Sequence, residues 1–396
     1  MKKLLLASAA VLVSGAAFAD GHSPVKVGVI LGFTGPLESL APTMAAGAEL
    51  AIAEVNESAL LLDGVTVEPV RADSTCIDAA AATAAAERLI TGDGVKGIMG
   101  ADCSGVTGAI LQNVALPNGV VMVSPSATSP GLSTAEDNGL FFRTAPSDAR
   151  QGEVVTDILG ENDITEIALT YTNNDYGKGL ADAIQANFEA AGGTVTISAA
   201  HEDGKADYSA EVGALAAAGG QLLVVAGYVD QGGSGIVRAA LDTGAFDTFY
   251  FPDGMVSQAL EDNFGSEIDG SYGANPGTDS PGAKLYQDMA TAGGFDGTQP
   301  FSAESYDAAA LIMLAMQAAG SSDPAAYKDV LMDVANAPGE EILPGDLAKA
   351  LQIIKDGGDV DYVGASAVEL IGPGESAGAY RQITFTDGKL AVVGYR

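Results

Sequence analysis

The sequence predicts an α/β fold in which two lobes of similar construction each contain a sheet of the parallel type. Short runs rich in β-branched residues alternate with longer Ala-rich segments, and this alternation is typical of parallel sheets covered by helices on both faces. The alternation occurs twice, with a pause near residues 142–152. The 396 residues also exceed the usual size of a single domain.

The predicted strands are short apolar runs rich in Val, Ile and Leu. In chain order they cover residues 25–31, 65–70, 119–124, 166–172, 193–199, 221–227 and 248–251. The predicted helices have apolar residues at helical spacing. They cover residues 44–56, 79–90, 177–192, 208–219 and 345–356, the last bounded by Pro344 and Gly357.

Residues 1–19 have the pattern of a secretory signal peptide. A basic start precedes an apolar run and a small-x-small ending, in the order Lys2-Lys3, Leu4 to Val13 and Ala17-Phe18-Ala19. We therefore expect an exported mature chain that starts at Asp20. No later stretch stays apolar for the roughly 20 residues that a membrane-spanning helix needs, so we expect no membrane anchor.

Composition excludes several function classes. The 52 acidic and 18 basic residues give a net charge of −34, which repels nucleic acid and anionic lipid. The only histidines are His22 and His201, too few to complete a tetrahedral metal site with two cysteines. Ser104 lacks the GxSxG frame, and neither HExxH nor GxxxxGK[ST] occurs. We expect no catalysis, no metal and no other cofactor.

The two cysteines, Cys76 and Cys103, are the only ones in the chain. In the oxidising compartment that an exported protein enters, an even cysteine count indicates a disulfide first. We therefore expect these two residues to pair.

Small polar residues concentrate in the loops that follow the predicted strands. Loops at the carboxyl ends of parallel strands gather the ligand in open α/β sheets, so a cleft between two lobes would collect loops from both. These loops are residues 32–42, 71–76, 100–105 and 124–130, followed by 171–179, 226–233 and 251–255.

In these loops the chain resembles the leucine/isoleucine/valine-binding branch of the periplasmic binding proteins that serve ABC transporters. The resemblance covers nearly the whole mature chain and depends on four motifs: CSxxT at 103–107, SPSATSP at 124–130, NDYGKGLA at 174–181 and GY at 227–228. It implies the type I periplasmic binding fold, with two Rossmann-like lobes joined by a three-segment hinge. Lobe 1 would comprise residues 24–144 and 277–376, and lobe 2 residues 145–276 and 377–396.

The resemblance also implies a set of ligand contacts. The Ser104 hydroxyl, the loop at Ser126 and the Thr128 hydroxyl would receive a ligand carboxylate, beside a loop closed by the Cys76–Cys103 disulfide. Several neutral donors can satisfy an anion in a dry cleft without a buried cation.

In the second lobe, Asp253 and Tyr228 would receive the ligand's ammonium group, and Tyr176 would form part of the wall. Leu40 falls near the position of an aromatic wall residue in relatives and would line an apolar side. The branched-chain binders place Glu where this chain has Asp253, and residues 335–364 form a longer segment than theirs.

We therefore expect a monomeric periplasmic protein that binds an amino acid, apolar or branched, or a close analogue, and presents it to an ABC permease in the inner membrane. One alternative is a binder of a small carboxylate or amide without an amino group. Another is a soluble ligand-sensing protein that acts on a receptor. A receptor's own ligand domain would normally continue into a membrane helix, and no apolar tail precedes Arg396.

Overall fold

The computed structural model describes residues 23–396, so the predicted signal peptide lies outside the described residues. Within this range, sixteen strands form two seven-stranded sheets and one two-stranded sheet. The strands are β1 Val25–Leu31, β2 Val67–Asp73, β3 Ile98–Gly100, β4 Met122–Ser124, β5 Phe141–Pro146, β6 Glu166–Thr172, β7 Thr194–His201, β8 Leu222–Ala226, β9 Phe249–Phe251, β10 Tyr272–Pro276, β11 Glu340–Ile342, β12 Val360–Tyr362, β13 Leu370–Ile371, β14 Glu375–Ser376, β15 Tyr380–Thr386 and β16 Lys389–Tyr395.

The α-helices of the described residues cover the faces of the two large sheets. They are α1 Ala41–Ser58, α2 Ala79–Glu87, α3 Ser104–Ile110, α4 Leu116–Asn118, α5 Asp148–Glu161, α6 Asp175–Ala190, α7 Ser209–Ala218, α8 Gly232–Thr243, α9 Gln258–Phe264, α10 Pro281–Ala292, α11 Ser302–Ala319, α12 Pro324–Tyr327, α13 Leu331–Ala335 and α14 Leu347–Lys355. None of the helices in residues 23–396 combines the length and hydropathy needed to cross a membrane.

The two large sheets repeat one topology, which confirms the predicted fold of two similar α/β lobes. The first has the order β13-β14-β5-β4-β3-β1-β2 and the second β16-β15-β10-β9-β8-β6-β7. Strands β1 to β5 pair with one another in parallel, and so do β6 to β10, whereas β15 pairs with β10 antiparallel. We call the bodies built on these sheets the first and second lobes.

The chain passes between the sheets three times, as the predicted hinge requires. These passages follow β5, β10 and β14. In the first lobe β1 lies between β2 and β3, and in the second lobe β6 lies between β7 and β8. The direction in which successive strands are added therefore reverses at β1 and at β6, and these are the topological switch points of the two sheets. Ligands of open α/β sheets bind at the carboxyl ends of the strands beside such points.

The long segment near residues 335–364 forms a small unit on the outside of the first lobe. Its strands β11 and β12 pair in parallel, and the predicted helix between them is α14. The Glu54 carboxylate of α1 accepts a hydrogen bond from the Leu347 N–H at 2.8 Å and another from the Tyr306 hydroxyl at 2.5 Å. This buried carboxylate joins the unit to α1 and α11.

Candidate ligand site between the lobes

A small cavity lies where loops of the two lobes meet. From the first lobe it is lined by Leu37, Cys103, Ser104, Ser126 and Phe301, and from the second by Tyr176, Tyr228, Asp253 and Gly254. Five of the seven predicted ligand residues, namely Ser104, Ser126, Tyr176, Tyr228 and Asp253, therefore share one cavity.

The other two predicted residues lie outside the cavity lining. Leu40 is buried directly before α1, and Leu37 forms the apolar wall in its place. Thr128 is also buried, and its hydroxyl has no hydrogen-bond partner among residues 23–396. The ligand contacts of these two residues stay predictions.

The disulfide between Cys76 and Cys103 is present, as the sequence predicts. It ties the loop after β2 to the residue that precedes α3, and Ser104 is the first residue of that helix. The Ser104 hydroxyl oxygen accepts a hydrogen bond from the Ser129 N–H at 3.0 Å. Ser104 is therefore held from both sides, by the disulfide and by the loop after β4.

Asp102 organises the first-lobe loops, and sequence analysis missed it. Its carboxylate accepts hydrogen bonds from the Gly32 N–H at 2.7 Å and the Ser74 hydroxyl at 2.9 Å. Its carbonyl accepts a third from the Ser126 hydroxyl at 3.0 Å. Burial raises the pKa of Asp102, and these donors to its carboxylate oppose the rise. One buried residue thus joins the loops after β1 and β2, through its side chain, to the loop that carries Ser126, through its backbone carbonyl.

Arg143 holds the same loop from the other side. Its guanidinium donates to the carbonyls of Ala127 at 3.0 Å and Ser129 at 2.9 Å, and to the Ser133 hydroxyl at 2.7 Å. It also forms an ion pair with Glu375 on β14. Because Arg143 is buried and both of its terminal nitrogens are bonded to the protein, with only Nε unpartnered among residues 23–396, it acts as a positioning residue.

Asp253 presents a carboxylate from the second lobe. Its Oδ1 accepts hydrogen bonds from the Tyr176 hydroxyl at 2.7 Å and the Gly254 N–H at 2.8 Å. Its Oδ2 is buried and has no hydrogen bond of normal length among residues 23–396, although the Gln151 amide lies near enough to stabilise the ionised carboxyl. Burial raises the pKa of Asp253, while Tyr176, Gln151 and Gly254 lower it. The Tyr176 ring stacks on Tyr228 with 5.1 Å between centroids, so the carboxyl is held by an aromatic pair.

Asp148 is a second buried carboxyl that sequence analysis missed. It is the first residue of α5, directly after a passage between the sheets, and both of its carboxyl oxygens lack a partner within residues 23–396. Burial raises the pKa of Asp148 well above its usual range, and the charge of Asp253 raises it further. Thr128 and Arg143 act in the opposite direction. The two carboxyls therefore interact through a poorly solvated region.

Unpartnered polar atoms concentrate around these two carboxyls. Of the eleven such buried side-chain atoms in residues 23–396, eight belong to Thr128, Asp148, Gln151, Tyr250, Asp253 and Tyr380. Electrostatic interactions link Asp253 to Asp148, Tyr250 and Tyr380. Thr128 acts on Asp148, and Gln151 acts on Asp253 and Tyr380, so these groups form one buried polar cluster, which reaches the cavity at Asp253.

A contact between the lobes closes the mouth of the site. The Asp230 N–H after β8 donates to the Pro36 carbonyl at 3.2 Å, and the Asp230 carboxylate accepts from the Ser39 N–H at 2.8 Å. The structure therefore represents a closed arrangement of the lobes.

Comparison with known proteins points to one family. The profile of the periplasmic binding protein family matches residues 24–345. The chain is 29% identical over 328 residues to a leucine-, isoleucine-, valine-, threonine- and alanine-binding protein of Pseudomonas aeruginosa, covering 82% of this chain and 86% of the relative. It is 30% identical over 355 residues to a Leu/Ile/Val-binding protein homologue of Brucella melitensis, with coverage of 85% and 92%.

Two solved structures show the same fold. A leucine-binding protein of Thermotoga maritima superposes with a TM-score of 0.78 at 22% identity, covering 94% of this chain and 98% of the other. A solute-binding protein of Rhodopseudomonas palustris in complex with p-hydroxybenzoic acid gives a TM-score of 0.75 at 20% identity, with coverage of 94% and 97%.

Proposed function

Because this chain belongs to the periplasmic binding protein family, we propose that it binds an α-amino acid between its lobes and presents it to an inner-membrane ABC permease. The protein acts as a carrier and not as an enzyme. Residues 1–19 direct its export to the periplasm, where it works as a monomer. The lobes that close on the ligand comprise residues 24–144 with 277–376, and residues 145–276 with 377–396.

The observation that carries this proposal is the pairing of opposite recognition chemistries across one cavity. The Ser104 hydroxyl accepts from the Ser129 N–H and keeps its own proton to donate, and it lines the cavity from the first lobe. Asp253, whose Oδ2 has no close hydrogen bond, lines the cavity from the second lobe. A neutral donor suits a carboxylate, and a buried carboxyl oxygen suits an ammonium group because a buried charge is tolerable when it is paired. An α-amino acid carries both groups on one carbon.

Asp148 belongs to the ammonium side of the site. It interacts with Asp253 and has two unpartnered oxygens. A ligand ammonium lowers the electrostatic cost of ionising either carboxyl, so the two acids together favour cationic groups. The names of the relatives from Pseudomonas and Brucella, which state binding of leucine, isoleucine and valine, support an amino-acid ligand. Leu37 and Phe301 supply an apolar wall for its side chain.

Isothermal titration of the ligand-stripped protein with leucine tests the proposal. We expect Asp253→Asn to raise Kd at least about 100-fold, because breaking a buried ion pair costs about 3–5 kcal/mol. The matched control is Glu267→Gln, which neutralises an exposed acid paired with Arg238 in the same lobe and should leave Kd within about threefold. Equal affinities for the two variants would contradict the role of Asp253.

A second candidate function is binding of a carboxylate that has no amino group. The observation in its favour is that burial raises the pKa of both Asp148 and Asp253, and a neutral carboxyl donates a hydrogen bond instead of pairing with a cation. Titration with 4-methylpentanoate, which is leucine without its amino group, separates the two functions. Binding as tight as that of leucine would favour this second function.

A further inference from the structure

A second crevice lies at the hinge and shares a lining residue with the ligand cavity. Residues from both lobes line it, including the end of β10, the start of α11 and Arg381 on β15. Phe301 lines this crevice and the ligand cavity alike. Phe301 therefore lies where the two spaces come closest.

Glu304 brings a carboxylate to the crevice. It lies in the first turn of α11, three residues after Phe301, and is only 3% exposed. Burial raises the pKa of Glu304 to about 7, and a hydrogen bond from its own backbone N–H opposes the rise. A carboxylate has about four acceptor sites, so a nearly buried carboxylate held by its own backbone N–H can accept a further donor from a ligand.

Arg381 brings a cation to the same crevice. Its guanidinium donates to Asn275 Oδ1 at 3.3 and 3.2 Å and to the Thr298 carbonyl at 3.0 Å. A guanidinium has five N–H donors, so donors remain after these three bonds. Glu304 and Arg381 interact electrostatically without forming an ion pair.

This arrangement selects against charged groups. A cationic group in the crevice would meet the charge of Arg381, and an anionic group would meet that of Glu304. A neutral group that donates N–H to a carboxylate and accepts from a guanidinium satisfies both residues. Primary amides and ureido groups have this chemistry.

We propose, relying on the amino-acid function above, that the crevice beyond Phe301 is a distal subsite for the end of the ligand's side chain, and that this end is an amide or ureido group. The cavity near Asp253 then holds the α-amino and α-carboxylate groups. The chain of the ligand passes the Phe301 ring, and its end reaches Glu304 and Arg381. The preferred ligand is longer and more polar than leucine.

Titration of the ligand-stripped wild-type protein at pH 8, above the pKa of Glu304, tests the proposal with leucine, glutamine and citrulline. We expect glutamine or citrulline to bind at least tenfold more tightly than leucine. Glu304→Leu should weaken that binding at least tenfold and leave the leucine Kd within about threefold. Glu341→Leu, which changes an exposed glutamate of the same lobe, is the matched control and should change neither.

Two results would overturn the proposal while leaving amino-acid binding intact. One is leucine binding the wild type tenfold more tightly than both polar ligands, and the other is Glu304→Leu weakening leucine and citrulline equally. Phe301→Ala gives a further test that does not depend on the folding of the Glu304 variant. It should weaken leucine binding more than citrulline binding, and the reverse order would contradict the subsite. Failure of all three amino acids would instead refute the proposed function.

Discussion

Gly254 is the position where the smallest substitution should disturb the site most. A Cβ added at Gly254 would lie 2.7 Å from the Gly227 carbonyl oxygen and 2.7 Å from the Tyr176 hydroxyl oxygen. The carbonyl belongs to the backbone after β8 and cannot rotate away, so Tyr176 has to move. That movement breaks the 2.7 Å hydrogen bond between Tyr176 and Asp253.

The expected magnitudes of Gly254→Ala follow from these two contacts. Overpacking costs about 1–3 kcal/mol in the free energy of unfolding. A hydrogen bond to a charged group contributes about 1.5–3 kcal/mol, so the Kd for leucine should rise about 10- to 100-fold. Urea denaturation measures the first quantity and isothermal titration measures the second.

Gly213→Ala is the matched control for this substitution. Gly213 lies within α7, and a Cβ there would meet no atom within 4 Å. Alanine is a better helix former than glycine by about 1 kcal/mol, so this variant should gain stability and keep its Kd. If Gly254→Ala behaved like Gly213→Ala in both assays, the argument that Tyr176 positions Asp253 would be refuted.

Three further perturbations test the surroundings of the site. Burial raises the pKa of Asp148 in the folded protein. The folded protein therefore retains a proton that the unfolded chain releases above about pH 4. The free energy of unfolding of the ligand-free protein should consequently fall as pH rises above that value. In urea denaturation, Asp148→Asn should reduce the difference in free energy of unfolding between pH 5 and pH 8. An unchanged difference would contradict the raised pKa of Asp148. Replacing Cys76 and Cys103 by Ser removes a link across 27 residues and should lower the free energy of unfolding by about 3–4 kcal/mol, whereas a loss below about 1 kcal/mol would contradict this. Asp230→Ala removes the bond to the Ser39 N–H and should speed ligand release about three- to tenfold in stopped-flow measurements, so an unchanged rate would show that this contact does not hold the lobes closed.

The sequence predicted the strands whose apolar runs are long and uninterrupted, such as 25–31 and 166–172. It did not predict β3, which has three residues, or β10, which includes an Asn and a Pro. Helix α11 was also missed, because most of its residues from Ser302 to Gln317 are buried. A helix buried on all sides has no apolar stripe to reveal it.

The residues of the candidate site likewise include some that the sequence predicted and some that it missed. Residues such as Ser104 and Asp253 were found because polar residues directly after apolar strands form a local signal. Asp102 was missed because its role depends on contact with Gly32, 70 residues away. Asp148 was missed because its significance comes from burial beside Asp253, and that burial depends on how the start of α5 packs against the loop after β9 within the second lobe. Local pattern therefore locates the loops, while tertiary contact decides which side chains act together.

The distribution of satisfied and unsatisfied groups also explains why closure should depend on the ligand. In the first lobe, Ser104 and Ser126 have protein partners, so this face is arranged before any ligand arrives. In the closed form Asp253 Oδ2 is buried, and for an ionised carboxyl without a cationic partner the cost exceeds the about 1–3 kcal/mol of a neutral unpartnered group. The two hydrogen bonds of Asp230 to the opposite lobe contribute about 0.5–1.5 kcal/mol each, which is too little to offset a buried, unpaired charge. A ligand with an ammonium group removes that cost, so the closed form becomes favourable when such a ligand is bound.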